Sequence, residues 1–280
     1  MKIVLAVNGS KHSRWAEDFL LALPLAGRPE VTVIHVVEID PLTRRLISPP
    51  LRQEYTRLLR KEVDRSIAEA ERKTANLARR LGARFGKVKI VVEKGPAAAR
   101  IIERARKEKA DLIVVGSRGL SNVQGFFIGS VSHKVAMYAD CSVLVVKKKT
   151  PALKRFLVAV DGSRYADDAV SFLEATFLPK GLRGIVLYVW DEFLYIPERP
   201  IEAVEKKYGR ALVRQGFETK FLFLTGHAAR TIVETARLNK VDLVVVGSRG
   251  LTGLTRFLLG GISLNVMERS AASVLIVRRR

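Results

Sequence analysis

The feature that most constrains this chain of 280 residues is an internal repeat. Residues 2–10 and residues 155–163 each form an apolar run that ends in Asn-Gly-Ser or Asp-Gly-Ser, at a spacing of 153 residues. Residues 111–120 match residues 242–251 at nine of ten positions, at a spacing of 131 residues. Such matches indicate two tandem copies of one domain.

The change in spacing locates an insertion in the first copy. Because the spacing falls from 153 to 131, the first copy has 22 extra residues between about residue 38 and residue 94. Arg, Glu and Ala dominate residues 52–81, which predicts that most of the insertion is a long helix. The matched ends of the copies place the two domains at residues 1–148 and 152–280.

Short apolar runs alternate with helical stretches within each copy. Runs of Val, Ile and Leu such as residues 112–116 are typical of parallel strands buried on both faces. The alternation predicts an α/β fold with a doubly wound sheet and right-handed crossovers. Ligands of such sheets bind beyond the carboxyl ends of the strands, where we expect Asn8, Gly116, Asp161 and Gly247.

A glycine pattern follows one predicted strand of each copy. The first copy reads Gly-Ser-Arg-Gly at 116–119, then nine residues, then Gly-Ser at 129–130. The second copy reads Gly-Ser-Arg-Gly at 247–250, then nine residues, then Gly-Gly at 260–261. Each pattern begins where a strand ends and finishes where a helix starts. Glycines that merely form turns are the alternative interpretation, which one copy alone would favour and two matched copies disfavour.

This arrangement suits a phosphate group. Glycine lets backbone N–H groups approach an anion closely, and the start of a helix favours negative charge. The hydroxyls of Ser130, Ser132 and Ser263 and the charges of Arg118 and Arg249 are candidate further contacts. The pattern is neither a P-loop nor the dinucleotide-binding fingerprint.

The order Asp/Asn-Gly-Ser, then Gly-x2-Gly-x9-Gly-Ser, resembles the universal stress protein family over nearly the whole chain, as two tandem domains. The resemblance implies two Rossmann-like domains, each a five-stranded, mostly parallel sheet with helices on both faces. It also implies the branch of the family that binds ATP. The residues that match its nucleotide site are Ala6, Asn8, Val36, Gly116, Arg118, Gly119, Gly129, Ser130 and Ser132 in the first copy, and Ala159, Asp161, Val189, Gly247, Arg249, Gly250, Gly260 and Ser263 in the second.

Each copy departs from the family at one position. Asn8 stands where the family has Asp, and Gly261 stands where it has Ser or Thr. A lost neutral hydrogen bond costs about 0.5–1.5 kcal/mol, or roughly three- to tenfold in affinity. We therefore expect both copies to bind ATP, with or without Mg²⁺, and the first copy to hold the triphosphate better.

The sequence favours a binding protein over a dedicated enzyme. Ser10 and Ser163 follow Asn-Gly and Asp-Gly, where capping of a helix explains them better than a catalytic triad. Asp161 is a candidate to help place Mg²⁺, but no residue of the sequence stands out as a general base beside the glycine loop, so any ATP hydrolysis is expected to be slow. No apolar run approaches the roughly 18 residues of a membrane span, so we expect a cytoplasmic protein. The resemblance to universal stress proteins implies a nucleotide-dependent switch or sensor in the stress response.

Two other classes of protein stay open. The first is a nucleotide-independent interaction or assembly protein. The loops at 120–128 and 251–259 contain apolar residues that would form a partner surface if exposed, or would otherwise cover the core of the protein itself: Phe126, Phe127, Phe257 and Leu258. A net charge of +21 suits nucleic acid, although interleaved aromatic platforms are missing. By resemblance, residues 143–146 and 274–277 should pair as an internal pseudo-dimer, and two chains can associate further as a homodimer.

Overall fold

The computed structural model describes residues 1–38, 52–119, 128–179, 181–190, 201–250 and 259–279. Strands and helices alternate in its first half as the apolar runs predict. The elements are β1 (Lys2–Val7), α1 (Lys11–Ala22), β2 (Glu30–Val37), α2 (Arg52–Phe85), β3 (Val88–Lys94), α3 (Ala97–Glu108), β4 (Leu112–Gly116), α4 (Ser130–Tyr138) and β5 (Ser142–Val146).

The second half repeats this order with a shorter helical segment after its second strand. The elements are β6 (Arg155–Val160), α5 (Arg164–Thr176), β7 (Arg183–Trp190), α6 (Ile201–Val204), a π-helical turn (Glu205–Gly209), α7 (Arg210–Arg214), β8 (Glu218–Thr225), α8 (Ala228–Leu238), β9 (Leu243–Gly247), α9 (Gly261–Arg269) and β10 (Ser273–Val277). The apolar loop residues at 126, 127, 257 and 258 lie outside the described residues.

The ten described strands form one sheet in the order β3-β2-β1-β4-β5-β10-β9-β6-β7-β8. Neighbouring strands within each half are parallel, which confirms the predicted α/β class. Strands β5 and β10 are antiparallel, with Val145 opposite Val274 and Val143 opposite Ile276. The predicted pairing between the last strands of the two halves is therefore present, and it makes the two sheets continuous.

Helices cover both faces of the sheet. Successive strand residues point to opposite faces, and they are apolar on both, so each face needs a covering layer. In β1, Ile3 and Leu5 pack into one buried cluster, and Val4 and Ala6 pack into the other. Each cluster contains residues from both halves. Burial on this scale is the main source of stability in a fold of this kind.

The long helix α2 ends four residues later than the sequence predicts, at Phe85. Its buried side chains include Leu77, Leu81 and Phe85, each four residues after the last. That spacing places them on one face of the helix, which packs against the sheet. No helix in the described part of the chain is long and apolar enough to cross a membrane.

Candidate functional site

A cavity of about 950 Å³ opens beyond the carboxyl ends of the first-half strands. This is the edge at which ligands of doubly wound sheets bind, and the volume is within the range of small-molecule sites. The structure brings together all nine residues that the sequence predicts for the first half. The cavity is lined by Ala6, Asn8, Val36, Gly116, Arg118, Gly119, Gly129, Ser130 and Ser132, among others.

The turn after the first strand of each half is held by a side-chain oxygen. Oδ1 of Asn8 accepts a hydrogen bond from the Ser10 N–H (3.1 Å), and Oδ1 of Asp161 accepts one from the Ser163 N–H (2.9 Å). Such a turn needs only an oxygen acceptor, so Asn and Asp serve equally in it. The two residues differ in the remaining atom, which is an amide nitrogen in Asn8 and a carboxylate oxygen in Asp161.

The serines of these turns cap the following helices, as the sequence predicts. Ser10 Oγ accepts a hydrogen bond from the Ser13 N–H (3.1 Å) at the start of α1. Ser163 Oγ accepts one from the Ala166 N–H (3.3 Å) at the start of α5. Capping satisfies one of the four free N–H groups at a helix start, so these serines have a structural role.

Backbone contacts close the glycine loop of the first half. The Gly129 N–H donates to the carbonyl of Ser117 (2.6 Å), which brings the two ends of the loop together. The buried Ser132 hydroxyl donates to the same carbonyl (2.8 Å). Its proton is thus engaged within the loop, and a direct contact from Ser132 to a ligand stays a prediction.

The second half closes its loop in the same way. The Gly260 N–H donates to the carbonyl of Ser248 (2.8 Å), and the Ser263 hydroxyl donates to the carbonyl of Gly247 (2.7 Å). Ala159 and Asp161 lie at the end of the first strand of this half, at the positions of Ala6 and Asn8. These second-half residues therefore lie at the same topological positions as the residues that line the first-half cavity.

Packing alone requires some of the motif glycines. A Cβ at Gly116 would lie 2.6 Å from the backbone carbonyl of His12, and one at Gly247 would lie 2.6 Å from the carbonyl oxygen of Tyr165. These glycines let the start of α1 pass close to the end of β4, and the start of α5 pass close to the end of β9. Close packing thus accounts for these two glycines without a ligand, and a role of the other motif glycines in binding stays a prediction.

Helix α4 begins with donors that no side chain caps. Its N-cap is Gly129, which has no side-chain oxygen, and the first backbone bond of the helix runs from His133 N–H to the Gly129 carbonyl (2.9 Å). The N–H groups of residues 130–132 precede that bond, at the wall of the cavity. Free donors and the helix dipole together make this point suitable for an anion.

Helix α9 begins in the same way in the second half. Its N-cap is Gly260, again without a side-chain hydrogen bond. The first residue of α9 is Gly261, and a Cβ there would meet nothing within 4 Å. The hydroxyl that Ser130 adds in the first half is therefore missing in the second, although there is room for it.

Arg118 supplies positive charge to the first cavity. Burial lowers the pKa of His12, and the neighbouring charges of Arg118 and Lys11 lower it further. Burial also lowers the pKa of Lys147 to about 8, with Arg118 acting in the same direction. Arg118 itself lines the cavity, so its positive charge favours an anion there.

Arg249 is held differently in the second half. Its Nη1 donates to the Tyr165 hydroxyl (3.2 Å), and its guanidinium lies 5.7 Å from the centre of that ring. Hydrogen bonds from Arg164 and Arg249 lower the pKa of Tyr165. Tyr165 stands at the position of His12 in the repeat, so the two loops present their arginines against different partners.

The opposite end of the first cavity combines apolar and polar groups. It is lined by Ile34, His35 and Val36 of β2, and by Ser66 of α2. Burial lowers the pKa of His35, and the more distant Lys73 charge acts in the same direction. An apolar wall with a few polar groups is typical of a site for a flat heterocycle such as a nucleobase.

Several residues of the cavity escape prediction from the sequence. Glu38 lies beside it and accepts a hydrogen bond from the Ala97 N–H (3.1 Å) at the start of α3. Ser66 comes from the inserted helix and Glu268 from the other half. His133 also lines the cavity, and it could have been predicted because it lies about one helical turn after the glycine motif.

A second cavity of the described chain lies away from this site. A cavity of about 410 Å³ lies at the opposite edge of the second-half strands, beside Arg155, Arg183 and Lys220, and includes none of the predicted residues. No group of three or more His, Cys, Asp or Glu side chains that could hold a metal ion occurs among the described residues.

The comparisons with known proteins agree with this geometry. The sequence profile of the universal stress protein family matches residues 1–147 and 152–278. A universal stress protein of Mycolicibacterium smegmatis is 27% identical over 99% of this chain and 97% of its own length. One from Methanocaldococcus jannaschii is 35% identical over 52% of this chain and 82% of its own length.

Solved structures show the same fold. The crystal structure of a universal stress protein from Archaeoglobus fulgidus has a TM-score of 0.70 and 22% identity, over 99% of this chain and 96% of that one. At this identity the likeness shows the fold alone. Because the family profile matches both halves over almost their whole length, the chain belongs to the universal stress protein family.

Proposed function

We propose that this chain binds ATP in the first-half cavity and at the equivalent strand ends of the second half. The observation that carries the proposal is the uncapped start of α4, which presents the N–H groups of residues 130–132 and the Ser130 hydroxyl to the cavity. Arg118 adds charge beside them, and the apolar residues Ala6 and Val36 lie at the strand ends. A phosphate chain at α4 would leave the base against those apolar residues.

The two sites should differ in affinity. The first site has the Ser130 hydroxyl, and the second has Gly261 at the start of α9. Asn8 and Asp161 make the same turn, so the exchange of Asp for Asn leaves the frame of the first site intact. The first site is therefore the tighter one for a triphosphate.

An exchange of the hydroxyl tests this assignment. Ser130→Gly should weaken the tighter ATP site by roughly three- to tenfold, because it removes one neutral hydrogen bond. Gly261→Ser should strengthen the weaker site by a similar factor, measured by calorimetric titration of each variant. Equal affinities in all forms would overturn the role of the hydroxyl, and no ATP binding in any form would overturn the function.

The proposed role is that of a nucleotide-dependent switch in the stress response, rather than that of a dedicated enzyme. The polar groups at the phosphate end are mainly hydrogen-bond donors and cations, which suit binding of an anion. Any hydrolysis of ATP should be slow in a single-turnover assay. Partner capture that depends on ATP would support the switch, and capture that is the same with and without ATP would favour a nucleotide-independent assembly protein.

A further inference from the structure

The first cavity contains a side chain from the second half of the chain. Glu268, in the last turn of α9, lines the cavity together with His133 of α4. The Glu268 carboxylate lies 3.5 Å from Nε2 of His133. The side chains are 40% and 37% exposed, so the carboxylate faces the cavity and is not sealed inside the interface.

Glu268 is held in place by the first half. The Lys147 ammonium, which follows β5, donates to the backbone carbonyls of Glu268 (3.2 Å) and Ser270 (2.6 Å). A cation at the end of a helix is favourable because the helix dipole is negative there. The backbone at the end of α9 is thus fixed relative to the first cavity, and the contact with His133 orients the Glu268 carboxylate.

This fixation is one half of a symmetric pair. Arg278, which follows β10 and stands 131 residues after Lys147, donates to the carbonyl of Ala136 (2.5 Å) near the end of α4. Each half therefore holds the end of a helix of the other half with one partly buried cation. The two cations contact different carbonyls of these helix ends, Glu268 and Ser270 for Lys147 and Ala136 and Met137 for Arg278.

The side chains differ in charge. The spacing of 131 residues places Met137 at the position equivalent to Glu268, and Leu264 at the position equivalent to His133. Both are apolar residues that pack against the buried cluster on that face of the sheet. At this pair of positions a carboxylate is therefore present for the first site and absent for the second.

A carboxylate near the phosphate-binding end of a cavity has an effect of known sign. It repels a polyphosphate and opposes the attraction of the α4 N-terminus and Arg118. A divalent cation reverses this effect, because Mg²⁺ is usually bound by one or two carboxylates together with nucleotide phosphates. A carboxylate oxygen is the donor type that such a cation needs, so Glu268 fits the role.

We infer that Glu268 makes the first site selective for ATP that carries a divalent cation. The Glu268 carboxylate lowers the affinity for metal-free ATP by repelling its phosphates. It does not lower the affinity for the Mg²⁺ complex, because the cation offsets that repulsion. The second site has Met137 at this position, so any dependence on the cation there must come from its own carboxylate, Asp161. This inference rests on the proposed function, since it concerns the charge of the nucleotide that the same cavity accepts.

The test compares ATP binding with Mg²⁺ and with a chelator. Both measurements use the full chain with Gly260→Val, which should disrupt the closed glycine loop of the second site because a Cβ there would lie 3.1 Å from the backbone Cα of Arg249. Glu268→Gln should strengthen binding of metal-free ATP by about three- to tenfold at pH 8, since it removes one like charge. It should leave Mg²⁺–ATP binding unchanged or weaker.

A second variant separates charge from local structure. His133→Leu copies the second site at the partner position and keeps the carboxylate, so the dependence on Mg²⁺ should persist. If Glu268→Gln changes both affinities by the same factor, or His133→Leu removes the dependence on Mg²⁺, the inference is wrong and the proposed function stands. If no form binds ATP in either condition while all unfold cooperatively, the proposed function itself fails.

Discussion

Some glycines of the two loops are required by packing and others are not, and the space available for a Cβ atom distinguishes them. At Gly116 and Gly247 the space for a side chain is already taken by the backbone of α1 and α5, respectively. At Gly261 the space is empty. The sequence has glycine at all three positions and cannot distinguish them, because the helix that approaches Gly116 or Gly247 is distant in the sequence. Only the structure shows which glycines the fold requires.

Alanine substitutions separate these two classes. Gly247→Ala should lower the free energy of unfolding by about 1–3 kcal/mol, because its Cβ would meet the Tyr165 carbonyl and the backbone must shift. Gly261→Ala, at the same end of the same half, should leave stability unchanged or slightly raised. Urea unfolding of both variants measures this, and equal losses would contradict the assignment.

The amine of Lys147 predicts a dependence of stability on pH. Its native pKa of about 8 lies below the ordinary value of 10.5. Between these two values the unfolded chain binds a proton that the native chain has released, so stability rises with pH in this window. The cost of burying the charge, up to about 3 kcal/mol, is present below pH 8 and is relieved towards pH 10.5.

Urea unfolding at pH 7 and pH 10 tests this dependence against Lys147→Met. The variant loses the two contacts of Lys147 with backbone carbonyls at both pH values, so this loss largely cancels when the change in the free energy of unfolding between pH 7 and pH 10 is compared. The gain in stability between pH 7 and pH 10 should therefore be larger in the parent protein than in the variant. An identical gain in both would show that another group titrates.

At the scale of elements, the sequence predicts most of what the structure contains. The bounds of α3, α4 and β4 follow directly from apolar spacing and from the glycines that precede α4. The end of α2 is misjudged because its last buried residue, Phe85, follows a run of Arg and Gly that reads as a terminus. The contribution of α2 to the cavity could not be predicted, since it depends on how the helix crosses the sheet.

Helix α2 therefore makes the first site different from the second. Ser66 lines the cavity, whereas Ala68 on the same helix is exposed and lies away from it. Ser66→Trp should fill the cavity and weaken ATP binding at the first site by about tenfold or more. Ala68→Trp is the matched control and should leave the affinity as it is, by calorimetry. Equal behaviour of the two variants would place the ligand elsewhere.

On the scale of the whole molecule, the two halves form a single sheet. Strands β5 and β10 pair in its centre, and both buried clusters continue across them. The first cavity takes Glu268 from the second half, so the first site is complete only when the halves are joined. The repeat in the sequence predicts two domains and their likeness, but it does not predict the Glu268 contribution, because the counterpart of Glu268 in the repeat is the apolar Met137.

Cleavage between the halves tests this continuity. Pro151 and Ala152 are exposed between β5 and β6, so a protease recognition sequence can be inserted there. After cleavage the halves should elute together in size-exclusion chromatography at the size of the uncut chain, because the β5–β10 pairing does not depend on the linker. Elution as two smaller species would show that the linker holds them together.

The most direct test of the account is a calorimetric titration of ATP with Mg²⁺ into the full chain, stripped of nucleotide, at near-physiological salt. The account predicts saturable binding with a stoichiometry of up to two, in which the tighter site is lost on Ser66→Trp. Absence of saturable binding, by a protein that still unfolds cooperatively, would contradict the assignment of the cavity to a nucleotide.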